Sequence, residues 1–161
     1  MIVWVLALIL LPFGIGAIIG APYVPVLRRD ATGLLDLAGL TAGQTMIDLG
    51  SGDGRFLRAA AKRGIRGIGY EINPFLYIIS LIVTWRYRKL VEIHLADFWR
   101  TPLAPCDAVY VFLIDRLMPK LDEKLSRDIT RPTHVISFVF AIPSKKPAET
   151  TRNAYRYLYG A

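Results

Sequence analysis

The sequence holds one cysteine, two histidines and, over its first 27 residues, no charged side chain at all. Cys106 cannot pair within the chain, so a disulfide-stapled scaffold is excluded. No metal centre is expected, because His94 and His134 stand forty residues apart without zinc-ligand spacing. There is no internal repeat and no low-complexity tract. Acidic residues are scarce, 13 against 20 Lys and Arg, which gives a net charge of +7 and a pI near 9.8. That balance suits an anionic membrane surface or a nucleic acid. No Lys/Arg run exceeds three residues, so nucleic acid is left without support and lipid headgroups are the expected partner. At 161 residues with 53% hydrophobic content the chain is too apolar for disorder and sized for one domain.

What is present begins with Ile2 to Ile19, an uninterrupted apolar run. Eighteen helical residues reach about 27 Å, close to the thickness of a bilayer's hydrocarbon core. A transmembrane anchor over 1–21 is therefore expected. A cleaved signal segment is the rival, but the basic n-region such a segment usually carries is missing. Arg28 and Arg29 follow the run and no cation precedes it. The positive-inside rule then predicts a single-pass membrane protein with its remaining chain on the cytoplasmic side. Residues 22–30, with two prolines, read as an extended connector.

From residue 31 onward, short apolar strands alternate with helical stretches. Strands are expected at Thr45–Leu49, Gly67–Glu71, Val91–Leu95, Ala108–Ile114 and Val135–Ile142, with a last edge strand at Tyr155–Tyr159. Helices are expected at 31–40, after Gly54, after Asn73-Pro74 and over Pro119–Asp128. The alternation predicts an α/β, Rossmann-like sandwich around a mostly parallel sheet.

In such sheets the ligand sits at the carboxyl ends of the strands. Gly50, Ser51, Gly52, Asp53 and Gly54 occupy that position after the first strand, with Asp48 two residues before. The spacing is G-x-G-x-G, whereas the dinucleotide fingerprint is G-x-G-x-x-G. Asp48 and Asp53 would repel a pyrophosphate, so the loop favours a cationic ligand such as S-adenosylmethionine, with its sulfonium and ammonium groups. Glu71 ends the second strand, where a carboxylate can accept from ribose hydroxyls. Asp97 follows the third and can accept from an adenine amino group, with Phe98 packed on the ring. Taken singly, these are also what a tight turn, a helix cap and a turn carboxylate look like. Three acids at successive strand ends argue for one ligand.

The chain resembles the class I S-adenosylmethionine-dependent methyltransferases. More narrowly, it is similar to the mitochondrial protein-lysine methyltransferases of the ATP synthase c-ring protein and the adenine nucleotide translocase, with their prokaryotic relatives. The matching pieces are PYVP at 22–25 with Arg28-Arg29, DLGSGDGR at 48–55, GYEINPFL at 69–76, DFW at 97–99, and VFL with LMPKLDEKL within 111–125. The resemblance implies a methyltransferase domain over 31–161, S-adenosylmethionine as cofactor, and a lysine of a small membrane protein as acceptor. Two departures are Val26-Leu27, where the family has small residues, and a short carboxyl terminus that puts the last hairpin in question.

Within that resemblance, Tyr23 and Asp115 are the polar groups best placed to orient an amine. Their competing readings are a packed connector tyrosine and a helix cap. Val111-Phe112-Leu113 stand where enzymes acting on nucleobase amines carry Asn-Pro-Pro-Tyr. Methylation of a small or lipid-like acceptor, and cofactor binding without catalysis, remain open alternatives. Phe75 to Trp85 is apolar nearly all round, which fits either a helix buried against the sheet or one with a face on a bilayer.

Overall fold

The computed structural model describes residues 28–160. These form a seven-stranded sheet flanked by four α-helices. In chain order the elements are α1 (Arg28–Ala38), β1 (Thr45–Leu49), α2 (Arg55–Lys62), β2 (Arg66–Glu71), α3 (Pro74–Thr84), β3 (Val91–Leu95), β4 (Ala108–Val111), α4 (Met118–Asp128), β5 (Thr133–Phe138), β6 (Glu149–Thr150) and β7 (Ala154–Tyr159). The strand order is β3-β2-β1-β4-β5-β7-β6. β1, β2, β3, β4 and β5 run parallel, and β7 lies antiparallel to both β5 and β6. The chain winds outward from β1 to β3, then crosses back to β4. The switch point therefore lies between β1 and β4, at the carboxyl edge where β1 runs into its glycine loop.

Alternation along each strand divides the core into two layers. Met46, Tyr110 and Ile136 face Leu34, Leu35 and Leu57 of α1 and α2. Ile47, Val109 and Val135 face Leu121 and Leu125 of α4. α3 packs beside α2, over β2 and β3. The Rossmann-like sandwich stands as expected, but three further expectations are corrected.

The sheet is mixed, and its antiparallel end is built in full. β7 is an interior strand, paired with β5 from Thr133–Tyr159 to Phe138–Ala154, and two-residue β6 closes the edge. The physical reason is burial: Ala154, Tyr157 and Tyr159 are core residues, and the Tyr157 hydroxyl accepts the Ile142 N–H at 2.8 Å. Second, the proposed connector ends early, because Arg28–Asp30 already belong to α1.

Third, the transmembrane helix and the single-pass, cytoplasm-facing placement drawn from it are not supported. No helix among the described residues is long and apolar enough to cross a membrane. The longest have 11 residues, about 16 Å, roughly half of a bilayer's hydrocarbon core. The run at 2–19 lies outside the described residues.

α2 can sit close on β2 because β2 carries glycines where it passes beneath. A Cβ on Gly69 would stand 2.6 Å from Leu57 Cδ1 and 2.7 Å from Ser51 Oγ. Gly69→Ala is therefore expected to lower unfolding free energy by about 1–3 kcal/mol, the usual cost of overpacking. Urea denaturation measures it; an unchanged midpoint would show that the helix–sheet spacing has slack.

Candidate functional site

The glycine loop is shaped by backbone requirements. Gly50, Gly52 and Gly54 have φ of 84°, 57° and 75°, a region that side chains rarely occupy. The Gly50 and Ser51 N–H groups both donate to the Tyr70 carbonyl, at 2.9 and 3.0 Å. The loop thereby folds back over the end of β2. Space above Gly50 is open, since a Cβ there would have no neighbour within 4 Å.

Glu71 holds the loop to the next helix. Its Oε2 accepts the Gly52 N–H and its Oε1 accepts the Asn73 N–H, both at 2.8 Å. Asn73 in turn caps α3, its Oδ1 accepting from Phe75 and Leu76 N–H at 2.9 and 3.3 Å, with Pro74 at the first helical position. Burial raises the Glu71 pKa, and the bonds from Asn73 and Gly52 partly offset the rise.

Asp48, on β1, is buried in the same corner. Burial first, then the charges of Glu71 and Asp53, push its pKa up to about 8. The structure thus gathers Asp48, Gly50, Ser51, Gly52, Gly54 and Glu71 at the switch point. Ser51 Oγ is buried there without a hydrogen-bond partner in the described protein.

The other expected residues are placed differently. Asp53 turns toward α2, where its carboxylate accepts the Arg55 N–H at 3.2 Å and forms an ion pair with Arg55 at 2.7 Å. It stands one residue before the Gly54 cap of α2, and its charge still acts on Asp48. Asp97 follows β3 at the carboxyl edge; its Oδ1 accepts the Trp99 N–H at 3.0 Å and its Oδ2 lies 3.5 Å from exposed Arg100. Half-buried Phe98 is tilted against Trp99 with ring centroids 4.6 Å apart. Asp115 is exposed at the start of a 3₁₀ turn that follows β4. Tyr23 lies outside the described residues. Cys106 is buried, its thiol pushed up to about 12 chiefly by burial, and is chemically quiet.

One residue escaped the sequence reading. Tyr110 on β4 pairs with Asp48 in the parallel register, lies 4.1 Å from Phe56 ring to ring, and buries its hydroxyl without a partner. Burial and then the charges of Asp48 and Asp30 raise its pKa. The signal was available: a tyrosine inside an apolar strand carries a hydroxyl that needs a partner.

The arrangement is acidic, open above Gly50, and supplied with buried acceptors and an orphan hydroxyl. The one cation within the loop's own turn, Arg55, is engaged by Asp53. Such a donor set suits a ligand bearing positive charge and hydroxyls, and opposes a pyrophosphate.

Comparison with known proteins agrees. The profile of the ANTKMT methyltransferase domain matches residues 48–149. The lysine N-methyltransferase of the ATP synthase c-ring protein from Rattus norvegicus is 33% identical over 132 residues, covering 81% of this chain and 61% of that protein. Adenine nucleotide translocase lysine N-methyltransferase of Mus musculus is 35% identical over 129 residues, covering 78% and 56%. The chain thus spans less than two thirds of these relatives' length. Among solved structures, an RNA methyltransferase from Salinibacter ruber in complex with S-adenosyl-L-homocysteine has a TM-score of 0.79 at 29% identity, covering 84% of this chain and 93% of that one.

The Asp48 shift gives a pH signature. Between about 4 and about 8 the native carboxyl keeps a proton that the unfolded chain releases, so ligand-free stability falls as pH rises through that window. Asp48→Asn should remove a slope of up to about 1.4 kcal/mol per pH unit. Urea unfolding at several pH values checks this; parallel curves for both chains would exclude a buried, proton-holding Asp48.

Proposed function

Since the chain belongs to the ANTKMT methyltransferase family, whose cofactor is S-adenosylmethionine, we infer that it transfers a methyl group to a lysine side chain of a membrane-associated protein. The observation that carries the cofactor half is the acid-lined, cation-poor loop at the β1/β4 switch point. The acceptor half rests on relatives named for lysines of the ATP synthase c-ring protein and the adenine nucleotide translocase.

Bound S-adenosylmethionine supplies a methyl group activated by its sulfonium. The chain's own part is to bind, orient and exclude water. Glu71 spends one lone pair of each oxygen on the loop and keeps others for the ribose hydroxyls. Asp97 serves the adenine amino group, with Phe98 beside it. Gly50 and Gly52 admit close backbone approach, Ser51 gives its unengaged hydroxyl, and buried Asp48, protonated in the empty site, ionises beside a bound cation. Asp53 acts one step back, fixing Arg55 and the start of α2. Tyr23 and Asp115 are proposed to orient the incoming amine, which must be neutral to attack; desolvation at the site lowers its pKa.

A second reading, an RNA acceptor, is favoured by the Salinibacter relative. Incubating the full chain with radiolabelled S-adenosylmethionine, membrane proteins and RNA separates the two. Label recovered as methyl-lysine after hydrolysis supports the first reading; label confined to RNA, lipid or small molecules overturns it. Glu71→Gln should weaken cofactor binding about 10- to 100-fold, the worth of hydrogen bonds to a charged acceptor. Calorimetry reads it, and unchanged affinity would remove Glu71 from the site.

A further inference from the structure

α3 is built inside out. Its buried side chains include Ser80 and Thr84, while Ile78, Ile79, Leu81, Ile82 and Trp85 at its end are exposed. At about 100° per residue these five share one half of the helix surface, opposite Ser80 and Thr84. The small inner residues have a reason. A Cβ on Gly54 would stand 3.0 Å from Ser80 Cβ and 3.1 Å from Thr84 Cγ2, so α3 lies tightly on the glycine loop. Their hydroxyls are satisfied by α3 itself, Ser80 donating to the Tyr77 carbonyl at 2.6 Å and Thr84 to the Ser80 carbonyl at 2.7 Å. Packing therefore explains the inner face and leaves the outer one unexplained. Ile82 is 71% exposed and Trp85 65%, and no described element covers them.

The charges in the segment that carries this face are of one sign. Residues 72–90 contain Arg86, Arg88 and Lys89, all exposed, and no Asp or Glu. The Arg88 guanidinium lies 4.8 Å from the centroid of the Trp85 ring. On the other flank, Val83 of α3 lines a cavity of about 530 Å³ together with Arg58 and Lys62 of α2, neither of which forms an ion pair among the described residues; the cavity's one acid, Asp53, is paired with Arg55. An apolar strip between two cationic borders, with a tryptophan at its rim, is complementary to an acyl layer under anionic headgroups.

We propose that the outer face of α3 is a peripheral docking surface for an anionic phospholipid bilayer. The helix lies in the interfacial plane, with Ile78 and Ile82 toward the acyl chains and Arg86, Arg88 and Lys89 at the phosphates. At 11 residues it cannot cross. The surface goes beyond the choice of acceptor and does not depend on it.

The test uses the full chain with an environment-sensitive fluorophore on Ile82→Cys, and a control on Ser126→Cys, an exposed position of α4 on the opposite side of the sheet. Native Cys106 is buried and stays unlabelled. With phosphatidylcholine vesicles containing phosphatidylglycerol, the label at 82 should shift to the blue and escape an aqueous quencher, while the label at 126 does neither. Pure phosphatidylcholine should give a weaker response. Replacing Arg86, Arg88 and Lys89 together by Gln should lower partitioning about tenfold or more. Calorimetric cofactor binding, unchanged in the labelled chains, shows that the fold is intact and reports on the site separately. A label at 82 still quenched on vesicle-bound protein overturns the proposal. So does shielding at every dilution without vesicles, which would assign the face to the chain's own remaining residues. Shielding that grows with protein concentration alone would assign it to a second copy and equally overturn it.

Discussion

The candidate site depends on one buried carboxylate. Glu71 ends β2 and uses its two oxygens to hold the Gly52 and Asn73 N–H groups, which joins the glycine loop to the first turn of α3. Hydrogen bonds to a charged acceptor contribute about 1.5–3 kcal/mol each, yet burial still raises the Glu71 pKa. The clamp therefore stores negative charge in a place water scarcely reaches. Asp48, on the adjacent strand, is pushed toward its protonated form by burial first and then by the charges of Glu71 and Asp53, so it ionises only when a cation arrives beside it. A loop fixed this way needs little rearrangement to receive a ligand, and the sign of that ligand is set in advance.

The clamp reaches the surface through α3. The helix begins where Asn73 is held by Glu71, and its inner face rests on Gly54 through Ser80 and Thr84. Small residues are required inside, so the large apolar ones are left outside. Loop geometry and surface chemistry are two consequences of one close helix–loop contact.

Much of this was legible in the sequence, for identifiable reasons. β1 and β3 fall at their expected bounds because the apolar run of β1 ends at Gly50 and the alternation of β3 stops just before Ala96-Asp97. The Asn73-Pro74 start of α3 follows from cap chemistry alone. The antiparallel end was less legible: β6 has two residues and no periodicity to read, and β7 gains its interior position only from long-range pairing. The pairing of Asp53 with Arg55 was not legible, because sequence cannot say which way a carboxylate turns. The exposure of Asp115 at the start of a 3₁₀ turn after β4 was not legible either, since that short turn carries no periodic signal. The apolar run at 2–19 led to a spanning helix that no described element supports.

The central claim is that buried acids at the β1/β4 switch point select a cationic nucleoside ligand over a phosphate-bearing one. Calorimetric titration of the full chain with S-adenosylmethionine and, separately, with NAD tests it most directly. The account predicts saturable binding of S-adenosylmethionine and no heat from NAD beyond dilution. Binding of NAD, or the absence of S-adenosylmethionine binding by a folded chain, would contradict it.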